Sequence, residues 1–260
     1  MKVRKICFVL AVLMLASAFA AGCGQSAAEP AVSPAAAVET TPSPEPTARA
    51  EEKELPPPPD IDIDSWEYLY AGVVCGVSRY HPNVRNIESQ LLDSRVTSAA
   101  QAFLNAARAE GYKVWIGVGY RNFEYTSFWF EDAMKDYGGS YEASQVDYVF
   151  PAGCSEHSTG LAIDITDEPD FAANYYNMHD ETVKDTEVYK WMAEHCAEYG
   201  FIVRYPEGKE DYYVKACYPG HFRYVGVEAA EYIMENDLCF EEFLNLYPEK
   251  KLHVTFGPEA

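Results

Sequence analysis

The sequence predicts a single α+β domain over residues 65–260, and three observations support this fold class. Apolar residues recur at the spacing of an amphipathic helix in several stretches. Short apolar runs of strand length lie between those stretches. Hydrophobic residues make up 48% of the chain and aromatic residues 14%, which is ample material for a packed core.

The helices are recognised by apolar stripes that end at a stop signal. The first stripe follows Asp93-Ser94 and ends before Gly111, and the second ends before Gly200. The strands are recognised as short apolar runs between these stripes. From these patterns we predict helices over 96–107, 186–199 and 227–235, strands over 114–118, 161–165, 201–204 and 222–225, and a long surface loop over 167–184.

Residues 1–22 have the pattern of a bacterial lipoprotein signal peptide. Basic residues precede an apolar run that ends in Ala20-Ala21-Gly22-Cys23. Small residues before a cysteine resemble a lipobox, which implies cleavage before Cys23 and lipid attachment to its thiol, although Ala20 stands where leucine is more common. An ordinary signal peptide with an incidental cysteine is the alternative, and the run is short for the ~20 residues of a membrane span. We therefore expect a lipid-anchored, extracytoplasmic protein of a bacterial membrane.

Residues 23–64 are predicted to be a disordered tether rich in Pro, Ala and Glu. Residues 24–64 contain nine of the sixteen prolines and no aromatic residue, so they cannot bury enough apolar surface to fold. The whole chain carries a formal net charge of −21. This acidity argues against nucleic acid as a partner, because phosphate binding depends mainly on Lys and Arg. We expect a monomer.

Two short stretches carry residue types that bind metals. His157 and Asp164 flank a turn at Gly160 that leads into an apolar strand, and His221 stands at the start of another strand. Two imidazoles and one carboxylate would leave the fourth position of a tetrahedral zinc site open, as catalytic zinc requires. Spacing alone leaves open a hydrogen-bonding or packing role for each histidine.

The same residues belong to a recognisable signature. Residues 155–164 resemble the Ser-x-His-x-x-Gly-x-Ala-x-Asp motif of the VanY-type zinc D-alanyl-D-alanine carboxypeptidases, with every defined position present. The similarity extends over about residues 90–246. Several matches in the same order are more specific than one motif. The further matching stretches are Gly119-Tyr120-Arg121, residues 200–210 and residues 221–226.

The resemblance implies a fold, a cofactor and an activity. The fold is the one shared with hedgehog signalling domains, in which helices flank a small antiparallel sheet that carries Zn²⁺. The implied zinc ligands are His157, Asp164 and His221. Arg121 is implied to bind the terminal carboxylate of the substrate, with Ser155 also in the substrate site. The implied activity is removal of the terminal D-Ala from peptidoglycan stem peptides that end in D-Ala-D-Ala.

One position departs from the family pattern. The family usually reads Glu-Pro-Trp-His where this chain reads Tyr218-Pro219-Gly220-His221, and that Glu is the catalytic base. A phenol with a pKa near ~10 is a poor proton acceptor at neutral pH. Tyr218 could instead donate a hydrogen bond to a developing oxyanion, so we predict Arg121 and Tyr218 as the catalytic residues. Carboxylates that could substitute as the base are Glu156, Glu207, Glu210 and Asp211.

This departure leaves two functions open. The first is a working zinc D,D-carboxypeptidase. The alternative is a catalytically impaired, zinc-containing module that binds peptidoglycan peptides. Intact ligands favour the enzyme, and the missing Glu favours the module.

Five cysteines remain after Cys23, so at least one is unpaired within the chain. Cys154 precedes one proposed ligand and Cys217 precedes another. Because both ligands converge on one ion, we predict a Cys154–Cys217 disulfide that braces the metal site. Thiolate ligation of the metal is the rival interpretation.

Overall fold

A computed structural model of the chain describes residues 54–72, 76–77, 80–136, 138, 150–167, 181–213 and 218–250. The predicted α+β class is confirmed, because short antiparallel strands and helices form one compact unit within residues 54–250. The strands are β1 (Val84–Ile87), β2 (Gln90–Asp93), β3 (Trp115–Val118), β4 (Ala162–Thr166), β5 (Phe201–Tyr205) and β6 (Tyr218–Tyr224). The helices are α1 (Thr97–Ala109), α2 (Phe123–Asp136), α3 (Glu187–His195), α4 (Val227–Glu235) and α5 (Phe240–Asn245).

The main sheet has four strands in the order β3-β4-β6-β5, and every neighbouring pair is antiparallel. Strand β4 is buried along its whole length, as expected for an interior strand. Its pairing with β6 sets Asp164 directly opposite His221, and its pairing with β3 sets Val118 opposite Asp164. The register of the sheet thus brings together residues that are far apart in the chain.

The two larger hydrophobic clusters both include residues of this sheet. In the first, α1 packs its buried Phe103 and Leu104 against apolar side chains of the strands. Phe103 lies between Phe201 and Phe222, with ring centroids 5.6 Å from each. The second cluster contains α4 and α5 together with Ile202 of β5. Burial of large side chains on this scale is the main stabilising contribution to such a domain.

The last part of the predicted tether belongs to the folded domain. Ile63 is buried in the second cluster, where Leu55 and Ile61 also pack. The hydroxyl of Tyr232 donates to the carbonyl of Pro56 at 2.6 Å, and that of Tyr247 to Pro59 at 2.8 Å. The prediction of disorder through residue 64 was therefore wrong for residues 54–64. A proline-rich extended segment does not form the backbone hydrogen bonds of a sheet, so its carbonyls need other donors. Here the donors are a hydroxyl from α4 and a hydroxyl from the chain after α5.

Each predicted helix and strand overlaps an element of the structure, but β6 begins at Tyr218, four residues before the predicted start. The helix predicted over 186–199 is the α-helix Glu187–His195 followed by a 3-10 helix, Cys196–Tyr199. The sequence patterns did not predict the β1–β2 hairpin, α2 or α5. Most of the predicted loop over 167–184 lies outside the described residues, as do the predicted signal peptide and Cys23. Within the described ranges, every helix falls short of the length and hydrophobicity that a membrane crossing requires.

Candidate metal centre

The turn before β4 positions the first candidate ligand. His157 lies in a 3-10 helix, Glu156–Thr159, that ends at Gly160 with φ +73°. A Cβ on Gly160 would lie 2.9 Å from the backbone nitrogen of Asp93, so only glycine fits both the conformation and the space. The N–H of Asp93 donates to the carbonyl of Gly160 at 3.0 Å. The β1–β2 hairpin therefore holds in place the turn that carries His157.

The structure brings the three predicted ligands together. One ligand atom from each of His157, Asp164 and His221 lies within 4.8 Å of the others, and all three residues are buried. Nε2 of His157 is 3.1 Å from Oδ2 of Asp164, and Nδ1 of His221 is 2.7 Å from Oδ1 of the same carboxylate. The two imidazole rings are almost perpendicular, with centroids 4.9 Å apart.

The electrostatics of the cluster differ among its three members. Burial lowers the pKa of His157, which holds its imidazole neutral. Burial opposes the charge on Asp164, but His157 and His221 outweigh it and hold the pKa of that carboxyl well below its usual value. The pKa of His221 is raised, because Asp164 and Glu156 together outweigh its burial. Two imidazoles and an ionised carboxylate are a donor set that zinc prefers, so these residues fit a zinc ion.

Arg121 lies directly beside this cluster. Its backbone N–H donates to the carbonyl of His157 at 3.1 Å, which fixes its position relative to the ligands. Its guanidinium lies 5.9 Å from the ring of Tyr125 and makes no ion pair with any residue in the described ranges. Arg121 is one wall of a pocket of about 310 Å³. The other lining residues are Gln90, Leu91, Gly117, Val118, Tyr120, Asn122 and Tyr125.

Tyr218 and Ser155 also lie close to the ligands. Tyr218 opens β6 and is buried, with its ring centroid 5.4 Å from that of His221 and 6.5 Å from that of Tyr205. Ser155 precedes the 3-10 helix and is buried, and its carbonyl accepts from the N–H of Ser158 at 3.0 Å.

The carboxylates considered as a substitute base lie in two different environments. Glu156 is completely buried, and its Oε1 accepts from Arg204 and Arg223 at 2.7 and 2.9 Å. Burial raises its pKa, but the two guanidinium groups outweigh this effect, and the pKa is lowered overall. A proton on Glu156 is therefore strongly disfavoured. The three others, Glu207, Glu210 and Asp211, are exposed in the loop after β5.

The predicted disulfide is contradicted. Cys154 is a free thiol whose sulfur lies beside Gly76, and burial raises its pKa. Cys217 lies outside the described residues. Convergence of two ligands on one ion does not require their neighbours three and four positions away to meet, and here the sulfur of Cys154 lies beside Gly76. Among the described residues, the metal-type cluster contains no cysteine, so thiolate ligation gains no support.

A buried His/Asp/His set on an antiparallel sheet, next to an arginine-lined pocket, is expected of a metal-dependent hydrolase. The model of one such family, VanY D-alanyl-D-alanine carboxypeptidase, matches residues 89–227, and the chain belongs to this family. The resemblance seen in the sequence is thereby confirmed.

Curated relatives share about a third of the aligned residues. The chain is 34% identical to the putative carboxypeptidase YodJ of Bacillus subtilis over 157 residues, which cover 60% of this chain and 55% of that protein. It is 34% identical to a D-alanyl-D-alanine carboxypeptidase of Enterococcus faecalis over 160 residues, which cover 59% and 56%. The chain therefore spans little more than half the length of these relatives.

Solved structures share the fold. The LdcB LD-carboxypeptidase is 31% identical with a TM-score of 0.55, over 65% of this chain and 80% of that one. A VanY D,D-pentapeptidase mutant from a VanB-type resistance cassette, solved in complex with Zn(II), is 29% identical with a TM-score of 0.58, over 70% and 100%. The Zn(II) in that structure agrees with the cofactor that the sequence predicts.

Proposed function

We propose that the chain is a zinc-dependent D,D-carboxypeptidase that removes the terminal D-Ala of peptidoglycan stem peptides. The observation that carries the proposal is the buried cluster of His157, Asp164 and His221 beside Arg121, whose guanidinium has no ion-pair partner among the described residues. Membership of the VanY family and the activity named for the Enterococcus faecalis relative support it.

Arg121 is proposed to hold the substrate. A guanidinium can bind a terminal carboxylate through two parallel hydrogen bonds, which fixes both the position and the orientation of a C-terminal residue. The backbone hydrogen bond from Arg121 to His157 anchors the main chain from which this side chain extends next to the ligands. Selection for a chain terminus follows, since an internal peptide bond offers no carboxylate to this arginine.

Zinc bound to the three ligands supplies a Lewis acid that polarises a carbonyl group and makes a water molecule more acidic. Asp164 and His157 are held in the protonation states that bind a cation. Their burial excludes bulk water, which strengthens electrostatic interactions inside the site. Tyr218, whose ring lies next to His221, is proposed to donate a hydrogen bond to the oxygen on which negative charge develops.

A second candidate function is a zinc-containing module that binds wall peptides without turning them over efficiently. Two observations favour it. Tyr218 occupies the position of the family's catalytic Glu, and Glu156 is engaged by two arginines. Loss of a positioned general base typically removes on the order of 10²–10⁴ in rate.

Release of D-Ala from a peptide ending in Lys-D-Ala-D-Ala separates the two candidates. The carboxypeptidase releases D-Ala in a zinc-dependent manner, and a peptide ending in a single D-Ala after an L-residue tests for L,D activity. No release with binding retained favours the module.

Variants at Tyr218 test its proposed role. A large rate gain in Tyr218→Glu would mean that the native site lacks its base, whereas a loss of rate in Tyr218→Phe would support the hydroxyl as a hydrogen-bond donor.

We also propose that the protein is lipid-anchored and extracytoplasmic, with the wall peptide as its partner. The basic residues, apolar run and Cys23 at the N-terminus support this location. Residues 24–53 would then be the tether that lets an anchored domain reach nearby wall. Metabolic labelling with a palmitate analogue tests the anchor, and Cys23→Ser should abolish the label.

A further inference from the structure

A buried array of charged side chains lies on one side of His221. It consists of Glu156, Arg204, Arg223 and Glu241, each at most 2% exposed. Arg204 donates from Nη1 and Nη2 to both carboxylate oxygens of Glu241, at 2.9 and 2.6 Å. Its Nε donates to Oε1 of Glu156 at 2.7 Å, and Nη1 of Arg223 donates to the same oxygen at 2.9 Å. Two guanidinium groups and two carboxylates balance, so the array is neutral overall.

Only one member of this array reaches the metal centre. Oε2 of Glu156, the oxygen that neither arginine uses, lies 3.3 Å from Nε2 of His221. The other ring nitrogen of His221, Nδ1, faces Asp164 at 2.7 Å. The imidazole is thus held between two carboxylates, of which one belongs to the candidate ligand set and the other does not.

The orientation of Glu156 is fixed from several directions. Arg223 also donates from Nη2 to the carbonyls of Glu67 and Leu69, at 3.0 and 2.7 Å, which ties it to the chain before β1. Arg204 is tied to α5 through Glu241. Since both donors to Oε1 are anchored elsewhere, the carboxylate cannot rotate without breaking a buried ion pair. Its Oε2 is consequently kept against the imidazole of His221.

We infer that Glu156 is a positioning residue that sets the tautomer of His221 for metal binding. It accepts the proton on Nε2 and so leaves the lone pair of Nδ1 for the cation. The inference rests on the proposed zinc site. His157 faces Asp164 through its opposite nitrogen, Nε2, and its buried Nδ1 has no hydrogen-bond partner among the described residues. The support from Glu156 is therefore specific to one of the two histidines.

The variant Glu156→Gln tests this role with little change of shape. The amide oxygen is expected to face the two guanidinium donors, because an NH₂ group there would point at two cations. The amide NH₂ then faces Nε2 of His221 and favours the proton on Nδ1, which is the wrong tautomer for the metal. Outer carboxylate partners of metal-binding histidines typically contribute about 10- to 100-fold in affinity. We expect a loss of zinc affinity in this range, measured by competition with a chromophoric chelator.

Glu241→Gln is the matched control. It removes the same charge from the same array and weakens the ion pair of Arg204, but the two carboxylate oxygens of Glu241 accept from Arg204 and not from His221. Both variants are expected to unfold at lower temperature, and only Glu156→Gln should lose zinc affinity. Equal zinc affinity in Glu156→Gln and wild type would overturn the inference. An equal loss in the two variants would also overturn it, because the effect would then belong to the array as a whole.

A measurement on the wild-type protein tests the inference even if the variant misfolds. In the zinc-loaded protein, nitrogen-15 NMR of the histidines should place the remaining ring proton of His221 on Nε2 and that of His157 on Nδ1. A proton on Nδ1 of His221 would contradict the inference even if every variant failed to fold.

Zinc titration of the wild type keeps the two proposals distinguishable. A protein that binds no zinc would refute the proposed function together with the inference, whereas zinc bound with the His221 proton on Nδ1 would refute the inference alone.

Discussion

Arg121 is the residue on which substrate selection depends in this account. It lines the pocket of about 310 Å³ and has no ion-pair partner within the described ranges. A cation left unpaired in an acidic domain is available to bind an anion. Its two roles are separable, because the backbone N–H binds His157 while the side chain faces the pocket.

Arg121→Lys is expected to weaken peptide binding while the fold is retained. Lysine keeps the charge but cannot make two parallel hydrogen bonds to a carboxylate. A charged hydrogen bond contributes roughly 1.5–3 kcal/mol, so we expect about a 10- to 100-fold rise in the Kd of a peptide ending in D-Ala-D-Ala. Calorimetry with a non-hydrolysable analogue of that peptide measures the Kd for an enzyme and for a binding module alike. Arg85→Lys, an exposed position on β1, is the control, and an unchanged Kd in Arg121→Lys would remove the proposed role.

At the scale of elements, the 3-10 helix Glu156–Thr159 and strands β4 and β6 define the metal centre. Local sequence forms the turn, and strand register brings His221 opposite Asp164. The close contact between Gly160 and Asp93 makes the hairpin part of the same assembly. A substitution that displaces this turn should therefore also displace His157 in the metal site.

Gly160→Ala is expected to destabilise the protein and weaken zinc binding together. The substitution imposes a positive φ on a residue with a side chain, which costs about 1–3 kcal/mol, and its Cβ meets the backbone of Asp93. Gly111→Ala is a matched control, since Gly111 also has a positive φ but no atom within 4 Å of the added Cβ. Thermal unfolding and zinc titration of both variants test this. Equal behaviour of the two would show that the contact with Asp93 is unimportant.

Sequence patterns predicted some of these elements better than others. Helix α1 is predictable because its apolar stripe faces the core. Helix α2 is not, because its large apolar residues Phe128 and Trp129 are 65% and 49% exposed and so do not belong to a single buried face. His157 and Asp164 lie within one short motif, so their proximity could be expected. The contacts of Glu156 with Arg204 and Arg223 span 48 and 67 positions, and no local pattern specifies them.

At the scale of the whole molecule, the folded domain begins earlier than proline content suggests. Lys250 illustrates the reason, since its buried ammonium donates to the carbonyls of Ile63 and Tyr68 at 2.7 and 3.1 Å. Residues from both ends of the domain thus meet in the second hydrophobic cluster. Composition alone could not predict this, because the partners of residues 54–64 lie in α4 and in the chain after α5.

Truncations should reveal this boundary. A protein that starts at residue 54 is expected to unfold at the same temperature as one that starts at residue 24. A protein that starts at residue 65 loses buried Ile63 and the hydrogen bonds of Tyr232 and Tyr247, and it should unfold at a clearly lower temperature. Deleting a buried isoleucine side chain alone typically costs about 2–5 kcal/mol. Equal melting temperatures for all three proteins would mean that residues 54–64 contribute nothing.

Zinc stoichiometry is the measurement that bears most directly on the central claim, which is that His157, Asp164 and His221 bind a single metal ion. We expect the purified wild-type protein to bind one zinc ion per chain, and His157→Ala to lose that binding. His195→Ala is the control, because His195 pairs with Glu198 near the surface, outside the cluster. Zinc binding that is absent from the wild type, or that is as strong in His157→Ala as in the wild type, would contradict the account.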